Sequence, residues 1–280
     1  MIPTGRTFYK MSGSGNDFVF IDAREQPAGA LAEVEVIRAV CSRGTGVGAD
    51  GIVFLLPPES AAIRMSYLNS DGSLAALCGN ATLCTARLAV ELGAASMREI
   101  SIETDSGRVQ ARFQDGQPEI DLQAAEELTE CFEEPCRAGE RRIGFALVGV
   151  PHVVVLCDDL DAVDVQVRGR ELRRHRALRQ GANVNFVART GDRGWVIRTY
   201  ERGVEAETLA CGTGAVATAT MLHAWGQTGT SISLQTRSGR SLRVRLTDAN
   251  GTLQPSLSGE ARIVFTGKLG ELATSSGEAL

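Results

Sequence analysis

Runs in which apolar and polar residues alternate recur along this chain. "ISIET" (100–104) and "VQARF" (109–113) carry apolar side chains at every second position, the period of a half-buried strand, and the "SGR" between them is hairpin chemistry. "ISLQT" (232–236) and "LRVRL" (242–246) repeat the arrangement around a second "SGR". The runs "DFVFIDA", "GIVFLL", "AIRMSYLN", "PHVVVLCD", "VNFVAR" and "WVIRTYER" are β-branched or aromatic and predict further strands. Helical spacing is rarer and predicts helices over about 31–42, 79–92, 169–179 and 212–225.

The two hairpins belong to a longer repeat. "ISIETDSGR" and "ISLQTRSGR" are identical at six of nine positions, and each follows a helix that begins at Cys-Gly, Cys78-Gly79 in one case and Cys211-Gly212 in the other. The spacing from cysteine to strand differs by one residue between the copies. A unit of this length, present twice, is a duplicated domain rather than a solenoid. The expected fold class is therefore α+β: two pseudo-symmetric domains, each a curved, mostly antiparallel sheet around a central helix that starts at its cysteine. The polar stretch "QAAEELTECFEEPCRAGERR" (123–142) is the expected boundary, giving an N-terminal half 1–122 with Cys78 and a C-terminal half 123–260 with Cys211. A final strand at 261–270 is expected to return to the N-terminal half, and 271–280 is expected to be disordered.

Composition narrows the function. Lys and Arg number 29 against 34 Asp and Glu, a net charge of −5, which disfavours a nucleic-acid partner. The basic run "RELRRHRALRQ" (170–180) reads as a solvated helix face. No apolar stretch reaches the roughly 18 residues of a membrane span, and the start "MIPTGRTFYKM" lacks a signal peptide's apolar core, so a cytoplasmic protein is expected. Seven cysteines without framework spacing fit a reducing compartment. Cys41, Cys84 and Cys157 lie in apolar or helical runs and read as buried small hydrophobes. Cys131 and Cys136 flank "FEEP", but with only three histidines, His152, His175 and His223, and no CxxC or HxxxH spacing, no metal site is expected.

Cys78 and Cys211 call for a different account. The first turn of a helix has backbone N–H groups without internal partners and roughly half a positive elementary charge. A thiol there can ionise near neutral pH, its pKa falling from ~8.5 toward ~3.5–7.5. The same amides, at Gly79, Asn80, Gly212 and Thr213, offer a cradle for a carboxylate. If duplicated halves face one another, two sulfurs can flank one α-carbon: one thiolate removes a proton and the opposite thiol returns one to the other face. That is stereoinversion with no cofactor.

The motifs "FYKMSGSGNDFVFID", "GVGADG", "NSDGS", "LCGN", "PHVVV", "GANVNF" and "YERGVEAETLACGTGA", in this order, span nearly the whole chain. In them the sequence resembles the diaminopimelate epimerases, cofactor-independent enzymes of lysine and peptidoglycan precursor biosynthesis that interconvert LL- and meso-diaminopimelate. The resemblance implies that Cys78 and Cys211 are the acid/base pair and that His152 and Glu201 assist them. It also implies that Asn16, Asn69, Asn183 and Arg202 hold the substrate, with Gly79, Asn80, Gly212 and Thr213 at its α-carboxylate end. The implied partner is a small-molecule substrate, with neither nucleic acid nor membrane, and a homodimer is left open.

Three positions depart from the family pattern. Val150 in "GVPH" stands where an asparagine is common, Gly51 where some members have glutamine, and Ala81 where glycine usually follows Cys-Gly-Asn. Val150 bears on the far end of the substrate, so a related two-cysteine racemase, for histidine or proline, is the alternative; Asn80, where the proline group has histidine, disfavours proline. From other classes, a redox-sensing dithiol protein remains open. A nucleotide-binding reading of "GVGADG" fails, because this GxGxxG match follows the helical "LAEVEVIRAVCSR" and leads into a strand.

Overall fold

The computed structural model describes residues 4–75, 78–191 and 194–272. Its contacts divide the chain into two units, one formed by the chain up to Ile120 with the segment from Glu260 onward, the other by Asp121–Gly259. Of 271–280, where disorder is expected, Leu272 is instead buried in the core of the first unit beside Leu269, and residues 273–280 lie outside the described residues.

The first unit begins with a tight antiparallel pair, β1 (Thr7–Gly13) and β2 (Asn16–Asp22). Helix α1 (Val34–Cys41), after a 3-10 turn at Gly29–Ala32, carries the chain across to β3 (Gly51–Leu56), which pairs with β2 in parallel. Such a connection requires a crossover, and it leaves both strands covered on both faces. That is why β3 reads as five consecutive buried residues instead of alternating. Then follow β4 (Ile63–Asn69), the short β5 (Leu74–Ala75), helix α2 (Gly79–Glu91), and a meander of β6 (Ile100–Thr104), β7 (Gly107–Gln114) and β8 (Gln117–Asp121). Here the alternation returns, with Ile100, Ile102, Val109 and Ala111 facing inward.

The second unit repeats this plan. After β9 (Glu127–Thr129) come the antiparallel pair β10 (Glu140–Val148) and β11 (Val150–Cys157), helix α3 (Val165–Arg173), and β12 (Asn183–Thr190) parallel to β11. The unit continues with β13 (Gly194–Glu201), β14 (Ala206–Thr208), helix α4 (Gly212–Ala224), and the meander β15 (Ser231–Gln235), β16 (Ser241–Ala249) and β17 (Thr252–Gly259). The last strand, β18 (Ala261–Lys268), pairs antiparallel with β1 of the first unit, as β9 pairs with β10 in the second.

Each unit has a core between its crossover helix and sheet: Val19, Ile21, Val36, Ile37, Val40, Ile52 and Phe54 in one, Val153, Val155, Val165, Leu172, Val184 and Phe186 in the other. The remaining helices, α2 and α4, are buried on nearly every side, consistent with their small residues. Two buried threonines return their hydroxyls to the preceding turn, Thr82 donating to the Cys78 carbonyl at 2.9 Å and Thr220 to that of Val216 at 3.0 Å, whereas the buried Thr218 hydroxyl of α4 has no hydrogen-bond partner among the described residues.

One predicted helix is displaced. The pattern at 169–179 forms a helix only as far as Arg173, and that helix starts earlier, at Val165, where the Asp164 carboxylate accepts from the Val167 amide at 3.0 Å. The basic run is correspondingly not one solvated face, since its first residues are helical and the rest turn. Arg173, from within it, is bound to Glu205 at 2.9 Å. Among the described residues no helix is long and apolar enough to cross a membrane.

Candidate active site

Cys78 and Cys211 occupy the same local position in their two units. Each is half-buried and extended, with φ −130° and ψ 112° at Cys78 and φ −135° and ψ 112° at Cys211. Each immediately precedes the first turn of the buried helix, and neither side chain caps it. The first intrahelical bonds run from the Thr82 amide to the Cys78 carbonyl (2.9 Å) and from the Ala215 amide to the Cys211 carbonyl (3.0 Å). The amides of Gly79, Asn80 and Ala81, and of Gly212, Thr213 and Gly214, therefore precede the helical ladder, where a helix terminus attracts anions. The Thr213 hydroxyl lies 3.6 Å from the Cys211 sulfur.

The other cysteines behave as the sequence suggests. Cys41, Cys84 and Cys157 are buried. Burial pushes the Cys41 and Cys157 thiols up to about 12, and Cys84 upward as well, which keeps them protonated. Cys131 and Cys136 are exposed.

In the first unit Asn80, only 2% exposed, donates from Nδ2 to Asn16 Oδ1 at 2.7 Å, while its own Oδ1 is buried and has no partner among the described residues. Asn16 in turn donates to Asp50 Oδ2 at 3.0 Å. Asp50 and Asp17 share Arg43, at 2.8 Å and 2.6 Å, and Asp17 also holds Lys10 at 2.6 Å. Burial alone would raise the Asp17 pKa, but the hydrogen bonds from Arg43 and Lys10 outweigh it and hold the carboxyl below its ordinary range. The helix start can lie this close to β1 because of Gly13: a Cβ there would stand 2.9 Å from the Asn80 carbonyl oxygen and from the Cys84 sulfur. Asn69 sits at the β4–β5 turn and donates to the Ser73 hydroxyl at 2.9 Å. At Gly51, opposite Asn69, a Cβ would meet the Leu68 carbonyl oxygen at 2.4 Å and the Tyr67 ring at 2.5 Å, so a glutamine would require this backbone to move.

In the second unit the parallel register of β11 and β12 sets His152 beside Asn183. Asn183 Oδ1 accepts from the Arg202 backbone amide at 2.8 Å, tying the end of β13 to β12. The Arg202 guanidinium reaches the Gln180 carbonyl at 3.3 Å, and among the described residues no carboxylate pairs with it. Glu201 is half-buried at the end of β13. Val150, half-buried, begins β11 directly after Gly149. His152 is fully buried; burial, assisted by the nearby Arg202 charge, pushes its pKa down to about 3, so it is neutral near pH 7.

Two residues absent from the sequence-derived site join it. Asn185 Nδ2 lies 3.2 Å from His152 Nδ1, and Asn185 Oδ1 accepts from the Thr199 hydroxyl at 3.0 Å. The signal was the "NVN" of β12, two asparagines on one face of an otherwise apolar strand. The Asp17–Asp50–Arg43 group was likewise not anticipated.

A sequence model described as diaminopimelate epimerase matches residues 8–126 and 144–264. The diaminopimelate epimerase of Gemmatimonas aurantiaca is 47% identical over 277 residues, covering 95% of this chain and 100% of the relative. That of Archaeoglobus fulgidus is 39% identical, covering 94% and 95%. Among solved structures, a Bacillus anthracis phenazine biosynthesis protein of the PhzF family matches with TM-score 0.73 at 16% identity, covering 95% of this chain and 99% of that one. A hydroxyproline epimerase from Agrobacterium vitis, solved with bound trans-4-hydroxy-L-proline, matches with TM-score 0.66 at 18% identity, covering 97% and 94%. These structures share the fold. Two copies of one α+β unit, each with a cysteine before a buried helix, and the full-length sequence matches lead to one assignment: the chain belongs to the diaminopimelate epimerase family.

Proposed function

We propose that the protein interconverts LL- and meso-diaminopimelate by two-base proton transfer between the α-carbon and the thiols of Cys78 and Cys211, without an added cofactor. The observation that carries this reading is the shared conformation of the two cysteines, each extended and uncapping before the first turn of a buried helix. A thiolate is favoured there by the helix field. As the α-proton leaves, negative charge flows into the substrate carboxylate, and donors aimed at developing charge lower the barrier. The amides of Gly79, Asn80, Gly212 and Thr213 are such donors.

In this reading His152 and Glu201 assist the thiols, and Asn16, Asn69, Asn183 and Arg202 hold the substrate. Asn80 Oδ1, buried and without a partner among the described residues, suits a substrate ammonium. Arg202, unpaired with any described carboxylate, suits the distal carboxylate, which a guanidinium grips in bidentate fashion. The reaction belongs to lysine and peptidoglycan precursor biosynthesis in the cytoplasm, where reducing conditions keep both thiols available. Nothing observed favours the histidine or proline racemase alternative.

Chiral chromatography of the reduced protein with LL-diaminopimelate, L-histidine and L-proline tests the assignment. Conversion of diaminopimelate alone is expected. Inversion of another amino acid with diaminopimelate untouched would overturn it.

A further inference from the structure

The two units carry the same ladder but fill one place in it differently. In the first, Phe18 lies beside Gly51 in the parallel pair, and Val53, two residues on, lies opposite Tyr67. The ring of Phe18 packs edge-on against Tyr67 with centroids 5.7 Å apart. In the second, the corresponding registers hold His152 beside Asn183 and Asn185 opposite Thr199. The fold thus accepts an apolar cluster here, and the second unit instead buries four polar side chains, each no more than 5% exposed. Burying polar groups is costly unless they are bonded to one another.

Their bonds fix hydrogen positions. Asn185 Nδ2 lies 3.2 Å from the Val153 carbonyl oxygen, which can only accept, so this atom must be the amide nitrogen. The same nitrogen lies 3.2 Å from His152 Nδ1, and Asn185 Oδ1 takes the Thr199 hydroxyl. With an N–H group directed at it, Nδ1 must be the unprotonated ring atom. The single proton of the neutral imidazole is then on Nε2, which is buried and has no partner among the described residues. The place is also cut to fit: a Cβ on Gly214, in the first turn of α4, would stand 2.3 Å from Asn185 Oδ1. Ala81, at the equivalent place in α2, is accommodated.

We infer that Asn185 is a positioning residue that holds His152 in the Nε2–H tautomer, so that His152 enters the reaction as a hydrogen-bond donor to an anion and not as a proton acceptor. Nδ1 is engaged by Asn185 and Nε2 already carries its proton, so accepting a proton would break the Asn185 contact. The inference rests on the assignment of His152 to the reaction made above. The anion it serves is one formed during that reaction, a thiolate or the charged carboxylate of the deprotonated substrate.

The direct test is a two-bond ¹H–¹⁵N spectrum of the histidine side chains in the reduced protein. Only three histidines are present, and His152 is identified by the signals lost in His152→Gln. An unprotonated Nδ1 and protonated Nε2, unchanged between about pH 5 and 8, is expected. A protonated Nδ1, as the neutral tautomer or the imidazolium, would overturn the inference whatever the enzyme's activity. Conversely, the expected tautomer in a protein that does not epimerise diaminopimelate would sink the functional assignment and leave the tautomer lock standing. Asn185→Asp, which keeps the Thr199 contact but turns an acceptor toward Nδ1, should protonate Nδ1 and lower kcat by roughly 10²-fold or more with little change in KM. Unchanged kcat with Nδ1 protonated would refute the positioning role.

Discussion

Cys78 and Cys211 share one backbone conformation to within 5° in φ and have the same ψ, each as the last extended residue before a buried helix. Because neither thiol caps its helix, replacing either one removes no capping bond. Cys78→Ala and Cys211→Ala are therefore expected to change stability by no more than about 1 kcal/mol while lowering epimerisation by at least about 10²-fold. Thermal melts and turnover measured on the same samples check both halves of this expectation. Near-normal turnover in either variant would contradict the two-thiol account.

Val150 begins β11 beside the Gly149 turn and cannot hydrogen-bond through its side chain. Val150→Asn supplies a donor where the family pattern has one. A hydrogen bond to a charged group is worth ~1.5–3 kcal/mol, so KM for diaminopimelate should fall by about tenfold or more with kcat little altered. Steady-state kinetics read the two parameters separately.

Gly214 and Ala81 should respond oppositely to exchange. Gly214→Ala adds a methyl group 2.3 Å from Asn185 Oδ1 and 3.2 Å from the Cys211 sulfur. Turnover is expected to drop even though alanine favours a helix interior by ~1 kcal/mol. Ala81→Gly should cost roughly 0.5–1 kcal/mol of stability and leave turnover near normal. Melting temperatures set beside kcat for the two variants distinguish a packing effect from a site effect.

His152 links stability to acidity. Its pKa is lowered from 6.5 in the free side chain to about 3 when buried, so between these values the unfolded chain binds a proton that the folded chain refuses. Stability from this residue is present above about pH 6.5 and is lost as pH falls toward 3. The slope of unfolding free energy in that window should be steeper in the native protein than in His152→Phe by up to ~1.4 kcal/mol per pH unit. Urea titrations at several pH values measure it; parallel slopes would mean that His152 is protonated in the fold.

What the sequence makes legible follows from what each feature depends on. The meander strands are readable because one face is buried, so Ile100, Ile102, Ile232 and Leu234 alternate with polar neighbours. The cysteines are readable because duplication repeats them beside glycine. The α3 start is obscured because the Asp164 cap has no Glu or Gln three residues on, and because the basic pattern runs past Arg173 into turns. Asn185 escapes notice because its role arises from register: only the pairing of β11, β12 and β13 shows that it meets both His152 and Thr199. The Asp17–Arg43–Asp50 group depends likewise on a contact between the β1–β2 hairpin and the loop before β3.

The central claim is proton transfer by two single-proton thiols, and deuterium tests it most directly. Reduced protein is incubated in D₂O with LL-diaminopimelate and no added cofactor, and the α-proton signals of substrate and product are followed by NMR early in the reaction. A thiol that removes protium from one face returns the same protium if the substrate re-forms, whereas the opposite thiol delivers deuterium. The account predicts meso product carrying deuterium at the inverted carbon while the remaining LL substrate keeps its protium. Deuterium entering the LL substrate ahead of product, or meso product that retains protium, would contradict it.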